Sequence, residues 1–544
     1  MSIHSSKLSV TFDEKRIDAI FAEVNQCRLP GLAAGIAIDG RTVYRKGFGL
    51  ASLELPVALS PTIRMRIGSV SKQFTAFGFM MLCEEGRANI DDTVGKYLPE
   101  LNPVAQKVTM RQLMGNNSGL QDATDLCLQF SGAEGRRIST ADLMSFYRDC
   151  DEVTASPGAT NIYNNGGWVM LSVIMEKIAE RSLEQILWER VFEPIGMYDT
   201  LLRRWDYKFI ANCSSSHALG DEGKYERTEV VGGLDYAGGG AIASTVDDML
   251  RWLAHMDNPK VGTAKTWELM KTPQKLLSGA STAYGLGLIN QRLRGVNMIS
   301  HSGGGWGSNA QMIKIPEAGF DVIVISNRVD RYANTFATKI LESCLPTLGP
   351  EDDAYQGPFP EGVFRSPKTG RAVQLGRVDT GYFLVGQKIP VAALDGHRIP
   401  ITPDKKGVLR PTNDLFVELA ITPIGDPLHP SSLRLVQFGI VDELIAVKRS
   451  ANPPTAAIVG RYRSTTTGTE AIVSATDGGV RLKMIGRFGS TEHALEYLAG
   501  GVWQKRLLNR RISPIWGFLL FDDDFAEFGF YTYPTRNVRF RRVE

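Results

Sequence analysis

Residues 68–85 read GSVSKQFTAFGFMMLCEE, from Gly68 to Glu85. Apolar side chains recur at helical spacing and almost all round (Phe74, Phe77, Phe79, Met80, Met81, Leu82), the pattern of a helix buried at the centre of a domain. Ser69 and Lys72 stand three residues apart, so a helix stacks them on one face and brings the lysine amine to the serine hydroxyl. Gly68 precedes the serine, and the helix N-terminus supplies free backbone N–H groups and a positive dipole end. A lysine desolvated beside that dipole has a depressed pKa and can accept a proton. A Ser-x-x-Lys pair alone arises by chance about twice in a chain this long, so the rest of the sequence must decide its meaning.

Upstream, Asp13 to Cys27 has helical periodicity (Ile17, Ile20, Phe21, Val24), and Gly31–Ile38 and Val43–Gly49 flank Asp39-Gly40 as a β-hairpin. Downstream, helical stretches at Ala141–Asp149, Gly167–Ala179, Leu183–Phe192 and Val246–His255 lead to strand-like runs at Met298–Ser300, Asn309–Ile315 and Phe320–Ser326. Helices in mid-sequence with strands at both ends predict an α+β layer in which the first and last strands share one sheet. Past Pro350 helical periodicity gives way to short alternating strands and frequent turn signals. There Gly362–Gly370 (GVFRSPKTG) recurs as Gly460–Gly468 (GRYRSTTTG), and each copy ends on a basic strand, Leu444–Arg449 and Asn537–Arg542. We expect two duplicated β-barrel domains, with boundaries at 1–350, 351–453 and 454–544.

The 544 residues are too many for one core. Charged residues make up 22%, hydrophobic ones 43%, and the net charge is +2. Basic and acidic residues are interspersed almost one for one, which argues against nucleic acid as a partner. No run approaches the roughly 20 apolar residues of a membrane span. The polar start, Met1 to Asp18, lacks a secretory n- and h-region, so the expected compartment is the cytoplasm; a mature form freed of its signal would look the same. Six cysteines without CxxC spacing read as reduced thiols, neither zinc ligands nor a disulfide frame.

Two further elements carry chemistry. Tyr163-Asn164-Asn165-Gly166-Gly167 follows the turn-forming Pro157-Gly158 and precedes an apolar helix; a tyrosine there can hydrogen-bond Lys72, and two nearby cations could hold it as a phenolate base. His301-Ser302-Gly303-Gly304-Gly305 lies between two strands, where glycines admit a substrate backbone and leave N–H groups for an oxyanion.

In this order the three elements resemble the penicillin-recognising serine hydrolases: class C β-lactamases, D,D-carboxypeptidases, related esterases and D-aminopeptidases. Members share Ser-x-x-Lys, Tyr-x-Asn and a third triad, Lys-Thr-Gly in lactamases and His-x-Gly in many peptidases. Here these read Ser69/Lys72, Tyr163/Asn165 and His301/Gly303, nearer the His-x-Gly branch. Thr109–Met114, Asn117–Leu120 and Gly238–Thr245 also look like the family, and the resemblance spans about residues 15 to 345. It implies a β-lactamase/transpeptidase-like catalytic domain with helices on an antiparallel sheet. D-Aminopeptidases of the family are similar in carrying two further β-barrel domains.

The resemblance implies an acyl-enzyme on Ser69, with Lys72 and Tyr163 as catalytic partners and His301 helping Lys72 to ionise or orient Tyr163. Asn165 is expected to bond Lys72 or the substrate amide, Gly303 to line the substrate strand, and the N–H groups of Ser69 and Gly304 to hold the oxyanion. No cofactor or metal is called for, and a homodimer is left open. By analogy a loop of the last barrel, Asn509–Trp516, reaches the site. Residues 504–516 hold no Asp or Glu but do hold Lys505, Arg506, Arg510 and Arg511, which suit substrate carboxylates better than a free ammonium. The expected substrate is a peptide or amide with a D-alanyl-like residue on the acyl side. The alternatives are a linearised cyanobacterial heptapeptide toxin (linearised microcystin) cut after D-Ala, an ester or β-lactam, and a non-catalytic D-peptide-binding module.

Overall fold

A computed structural model describes residues 7–132, 136–220, 222–229, 233–348, 355–379, 388–412, 419–508 and 516–543. Its first unit is built on one antiparallel sheet. Helix α1 (Glu14–Ile20), capped by the Asp13 side chain, precedes strands β1 (Leu32–Ile38) and β2 (Arg41–Phe48). After the helical middle of the chain come β3 (Ile289–Leu293), β4 (Val296–Gly305), β5 (Ser308–Ile315) and β6 (Phe320–Ser326). The sheet order is β3-β4-β5-β6-β1-β2, so the first and last strands meet as expected, Leu32 opposite Ser326 through Ile38 opposite Phe320.

Strand alternation fills two cores. Leu32, Ala34 and Ile36 of β1 join Phe320, Val322 and Val324 of β6 under α1 and a closing helix, Ala333–Cys344. Phe21 stacks there between Phe48 (4.5 Å) and Phe336 (5.2 Å). Ala33 and Ala37 of β1, with Ile323 and Ile325 of β6, turn to the opposite face and its larger helical layer. Both faces of the central strands are therefore covered, which explains their almost unbroken apolar runs.

In the larger layer α2 (Ser71–Glu84) has its first twelve residues buried, as its apolar periphery predicts. It is entered through a 3-10 turn, Gly68–Val70, so Ser69 sits just ahead of the α-helix. Around it lie α3 (Ala123–Ser131), α4 (Asn165–Ala179) and α5 (Val246–Asp257). Among the described residues no helix is long and apolar enough to cross a membrane.

The last two hundred residues form two closed eight-stranded barrels, running from Gly362–Arg365 to Ile440–Ala446 and from Gly460–Arg463 to Val538–Arg542. Each repeat opens a barrel and pairs with its closing strand, Phe364 opposite Ala446 and Tyr462 opposite Arg542. The second barrel clasps α3, whose nine residues are all buried; Phe130 meets Phe530 (4.9 Å) and Phe540 (5.6 Å) edge-on. Several polar groups buried in this contact are paired across it. The Asp125 carboxyl accepts from the Thr532 (2.6 Å) and Thr535 (2.7 Å) hydroxyls, and Lys505 donates to the Gln129 side chain. Gln121 exchanges two hydrogen bonds with the backbone of Arg536.

These contacts hold residues 532–537, the turn before the closing strand, against the catalytic unit. Asp125→Ala leaves two buried hydroxyls without their acceptor, at roughly 1–3 kcal/mol each. Amide hydrogen exchange at residues 532–537 should rise at least about tenfold in this variant, with β4–β6 exchange unchanged.

Candidate active site

Ser69 stands at the junction of the sheet and α2, and two glycines make that junction possible. Gly68 has φ +52°, and a Cβ there would sit 2.7 Å from the Gly304 backbone nitrogen. A Cβ on Gly303 would sit 1.9 Å from the Ile67 carbonyl oxygen and 3.1 Å from the Ser69 nitrogen. Only glycine at both positions lets the edge of β4 lie directly against the serine turn. The Ser71 hydroxyl then pins the turn, donating to the Gly68 carbonyl (2.6 Å) and accepting from the Ile242 N–H (3.1 Å). Where a Cβ of Gly304 would point, the space is open.

Lys72 is completely buried. Its Nζ lies 3.0 Å from Ser69 Oγ, 2.8 Å from Asn165 Oδ1 and 2.5 Å from the Gly239 carbonyl oxygen. Burial drives its pKa well below the usual lysine range, opposed only partly by the charge of Asp122. Three oxygens suit either protonation state. An ammonium donates to all three; a neutral amine donates to Asn165 and Gly239 and turns its lone pair to the Ser69 hydroxyl.

Asn165 is placed by the start of α4. Asn164 caps that helix, accepting from Gly167 N–H (2.8 Å), and buried Asp122 accepts from the N–H groups of Asn165 (2.8 Å) and Gly166 (2.9 Å). Desolvation raises the Asp122 pKa even so. Tyr163, just ahead of the cap, has its hydroxyl in hydrogen-bond contact with Ser69 and its ring face 4.7 Å from Lys72 Nζ.

Here the structure corrects the sequence reading. His301 bonds not to Tyr163 but to the Tyr284 hydroxyl through Nε2 (2.8 Å), while Nδ1 faces the Ser302 carbonyl (2.6 Å). A carbonyl can only accept, so Nδ1 carries the proton and Nε2 accepts from Tyr284. Burial, reinforced by Lys72, pushes the His301 pKa down to about 3, so the ring is neutral. Tyr163 thus lacks the two cations expected to ionise it, and burial raises its pKa well above that of a free phenol. It is a neutral tyrosine that can give a proton.

Arg510 and Arg511, with the rest of 509–515, lie outside the described residues. Of the basic residues preceding them, Lys505 is buried against Gln129 and Arg506 is exposed, so Lys505 is not available to a substrate carboxylate. Among the described residues, the barrel segment 532–537 lies against the catalytic unit beside Tyr163. Tyr533, a partly buried residue, accepts a hydrogen bond from the Tyr163 backbone N–H. Neither Tyr284 nor Tyr533 had a motif to reveal it; Asp122 and Gly239 lay beside or within quoted stretches without a stated role.

A serine turn, a desolvated lysine at hydrogen-bond distance and a glycine-edged strand together are the apparatus of a serine hydrolase. The chain belongs to the Beta-lactamase family, whose profile matches residues 17–343. Among curated proteins it is 25% identical over 494 residues to a D-aminopeptidase of Cereibacter sphaeroides, covering 88% of this chain and 89% of that one. It is 30% identical over 286 residues to a D-aminopeptidase of Brucella anthropi, about half of each chain (51% and 52%). Its fold is similar to an octameric penicillin-binding protein homologue from Pyrococcus abyssi (TM-score 0.55, 19% identity, 97% of this chain and 100% of that one). It is also similar to the D-amino acid amidase of Ochrobactrum anthropi SV3 (TM-score 0.51, 21% identity, 60% of this chain and 97% of that one).

A neutral buried His301 has a consequence for stability. The unfolded chain binds a proton near pH 6.5 that the native ring refuses until about pH 3. Stability therefore falls as pH drops through that window, by about 1.4 kcal/mol per pH unit for this one group. Denaturant unfolding between pH 4 and 6 should show a slope smaller by about one proton in His301→Gln.

Proposed function

We propose that the protein is a peptidase and amidohydrolase that cleaves after a D-residue through an acyl-enzyme on Ser69. The observation that carries the chemistry is the 3.0 Å contact between Ser69 Oγ and a fully buried Lys72. The neutral Lys72 amine takes the Ser69 proton as Oγ attacks the carbonyl carbon. The backbone N–H groups of Ser69 and Gly304 receive the oxyanion, the substrate running along the open edge of β4 past Gly303. Tyr163 then gives its phenolic proton to the departing amine and is reprotonated from Lys72, which leaves Lys72 neutral again. Water releases the acyl group by the reverse transfers. Asn165 orients Lys72, His301 holds Tyr284, and Tyr533 fixes the backbone of Tyr163.

The D-residue rests on likeness: the match to the Cereibacter sphaeroides D-aminopeptidase, over 88% of this chain, takes in both the catalytic unit and most of the barrel region. Within this reading residues 1–350 are the catalytic unit, and 351–453 and 454–544 are accessory barrels that complete its cleft. Arg510 and Arg511 belong to the loop proposed to meet substrate carboxylates.

A panel of D-alanyl and L-alanyl p-nitroanilides, N-blocked D-alanyl peptides, esters and nitrocefin tests the assignment. The D-alanyl amides or peptides should be turned over best. A preference for L-residues or for nitrocefin overturns it. Ser69→Ala should lose at least about a thousandfold in kcat and all fluorophosphonate labelling at that peptide.

Lys72 must be neutral to act, and its folded pKa is lowered, so kcat/KM should fall on acidification through a pKa well below the usual lysine range. Lys72→Arg, which keeps its proton at every accessible pH, should be inactive throughout the profile. Tyr163→Phe should lose about 100- to 10,000-fold in kcat on amides. Its loss on esters, whose leaving groups need less help from an acid, should be smaller.

A further inference from the structure

Beyond the strand edge lies a groove of about 840 Å³ walled by Leu55, Val57, Tyr207, Phe209, Ile210 and Trp306. Its apolar groups face water: Phe209 is 98% exposed, Leu55 71% and Val57 52%. Of the charged groups around it, Glu229 is exposed and several others are held in place. Arg66 holds Asp206 (2.6 Å), Arg203 donates to the Asp206 carbonyl (2.6 Å) and Cys213 Sγ (3.3 Å), and Arg227 faces Glu54 (3.4 Å). The groove offers a visitor a cluster of exposed apolar and aromatic side chains beside polar ones such as Ser52, Asn212 and Thr228, in a concavity the size of a single bound group.

Its place along β4 sets which part of a substrate would reach it. His301 lies beside Tyr163 (ring centroids 6.4 Å apart), Gly303 packs on Ser69, and Trp306 lines the groove. Tyr163 and the groove are therefore on opposite sides of the serine. The leaving amine must lie toward the proton donor Tyr163, so the acyl portion lies toward Trp306. Trp306 is three residues past Gly303, about 10 Å in extended chain, which is the reach of about three substrate residues.

We propose that this groove is an acyl-side subsite that binds a bulky apolar or aromatic side chain about three residues upstream of the D-residue whose carbonyl Ser69 attacks. It rests on the acyl-enzyme reading above and deepens it: the preferred substrate is an N-extended peptide with a hydrophobic head, not a free D-amino acid amide.

The test separates binding from turnover. Calorimetry on full-length Ser69→Ala compares acetyl-Phe-Gly-Gly-D-Ala-Leu with acetyl-Gly-Gly-Gly-D-Ala-Leu. The phenylalanyl peptide should bind about tenfold tighter or better. Added to that background, Phe209→Asp and Val57→Asp, both at exposed positions, should each shrink the ratio to threefold or less. Equal affinities, or a ratio that survives both substitutions, overturn the subsite. If the ratio holds while the Ser69-bearing enzyme cleaves neither peptide, the subsite stands and the D-residue peptidase reading fails. If both peptides are cleaved and bound equally, the peptidase reading stands and the subsite fails.

Discussion

A lysine amine sealed from water without a carboxylate in contact is the constraint around which the catalytic unit is arranged. Burying an ammonium is far costlier than burying an amine, so the fold bears Lys72 by satisfying every hydrogen it can carry and by favouring the state with fewer of them. Each of its three oxygens comes from a different segment: Ser69 from the turn before α2, Asn165 from the start of α4, Gly239 from the loop ahead of α5. Displacing any of these segments leaves a polar group unpaired in the interior. The same requirement explains the buried Asp122, which fixes the first turn of α4 and so places Asn165.

Much of this was legible in the sequence, for reasons specific to each element. The helix from Ser71 and the pairing of the first and last strands follow from periodicity, because two buried faces demand apolar residues at nearly every position. The duplicated barrels were legible from the Gly362 and Gly460 repeats, whose opening strands have the same closing role. Ser69 stands beside Lys72, and Tyr163 near Asn165, because short, fixed spacings on helices and turns survive folding unchanged, whereas the meeting of the two pairs is implied only by the family resemblance. What was not legible is contact between distant segments. Tyr284 and Tyr533 carry no local pattern, and His301 hydrogen-bonds Tyr284, whereas the resemblance implied that it acts on Tyr163.

The protonation pattern was misread for a related reason. Sequence shows which groups are ionisable and not how dry their surroundings are. The depressed pKa of Lys72 follows from its place on an apolar helix, but nothing in one dimension shows that His301 and Tyr163 are as dry, and burial is the first cause of all three shifts. Placed together and dry, they are driven toward neutrality, and an amine beside a phenol is then a base and an acid ready for opposite steps of one reaction.

The barrels acquire a physical role from the same geometry. Tyr163 lies in a loop ahead of its helix, where the backbone has no ladder to hold it, and its N–H is met by a tyrosine from the far end of the chain. That tyrosine is itself fixed twice: Thr532 and Thr535 bond Asp125, while Arg536 lies 3.7 Å from Asp395 of the first barrel. Both accessory units therefore converge on one six-residue turn. An accessory domain tethered only by a linker would let that turn drift by more than the tolerance of a hydrogen bond. A buried contact across α3, in which Asp125, Gln129 and Gln121 are each bonded to the barrel, is what allows a residue more than three hundred and sixty positions away in sequence to hold the backbone of Tyr163.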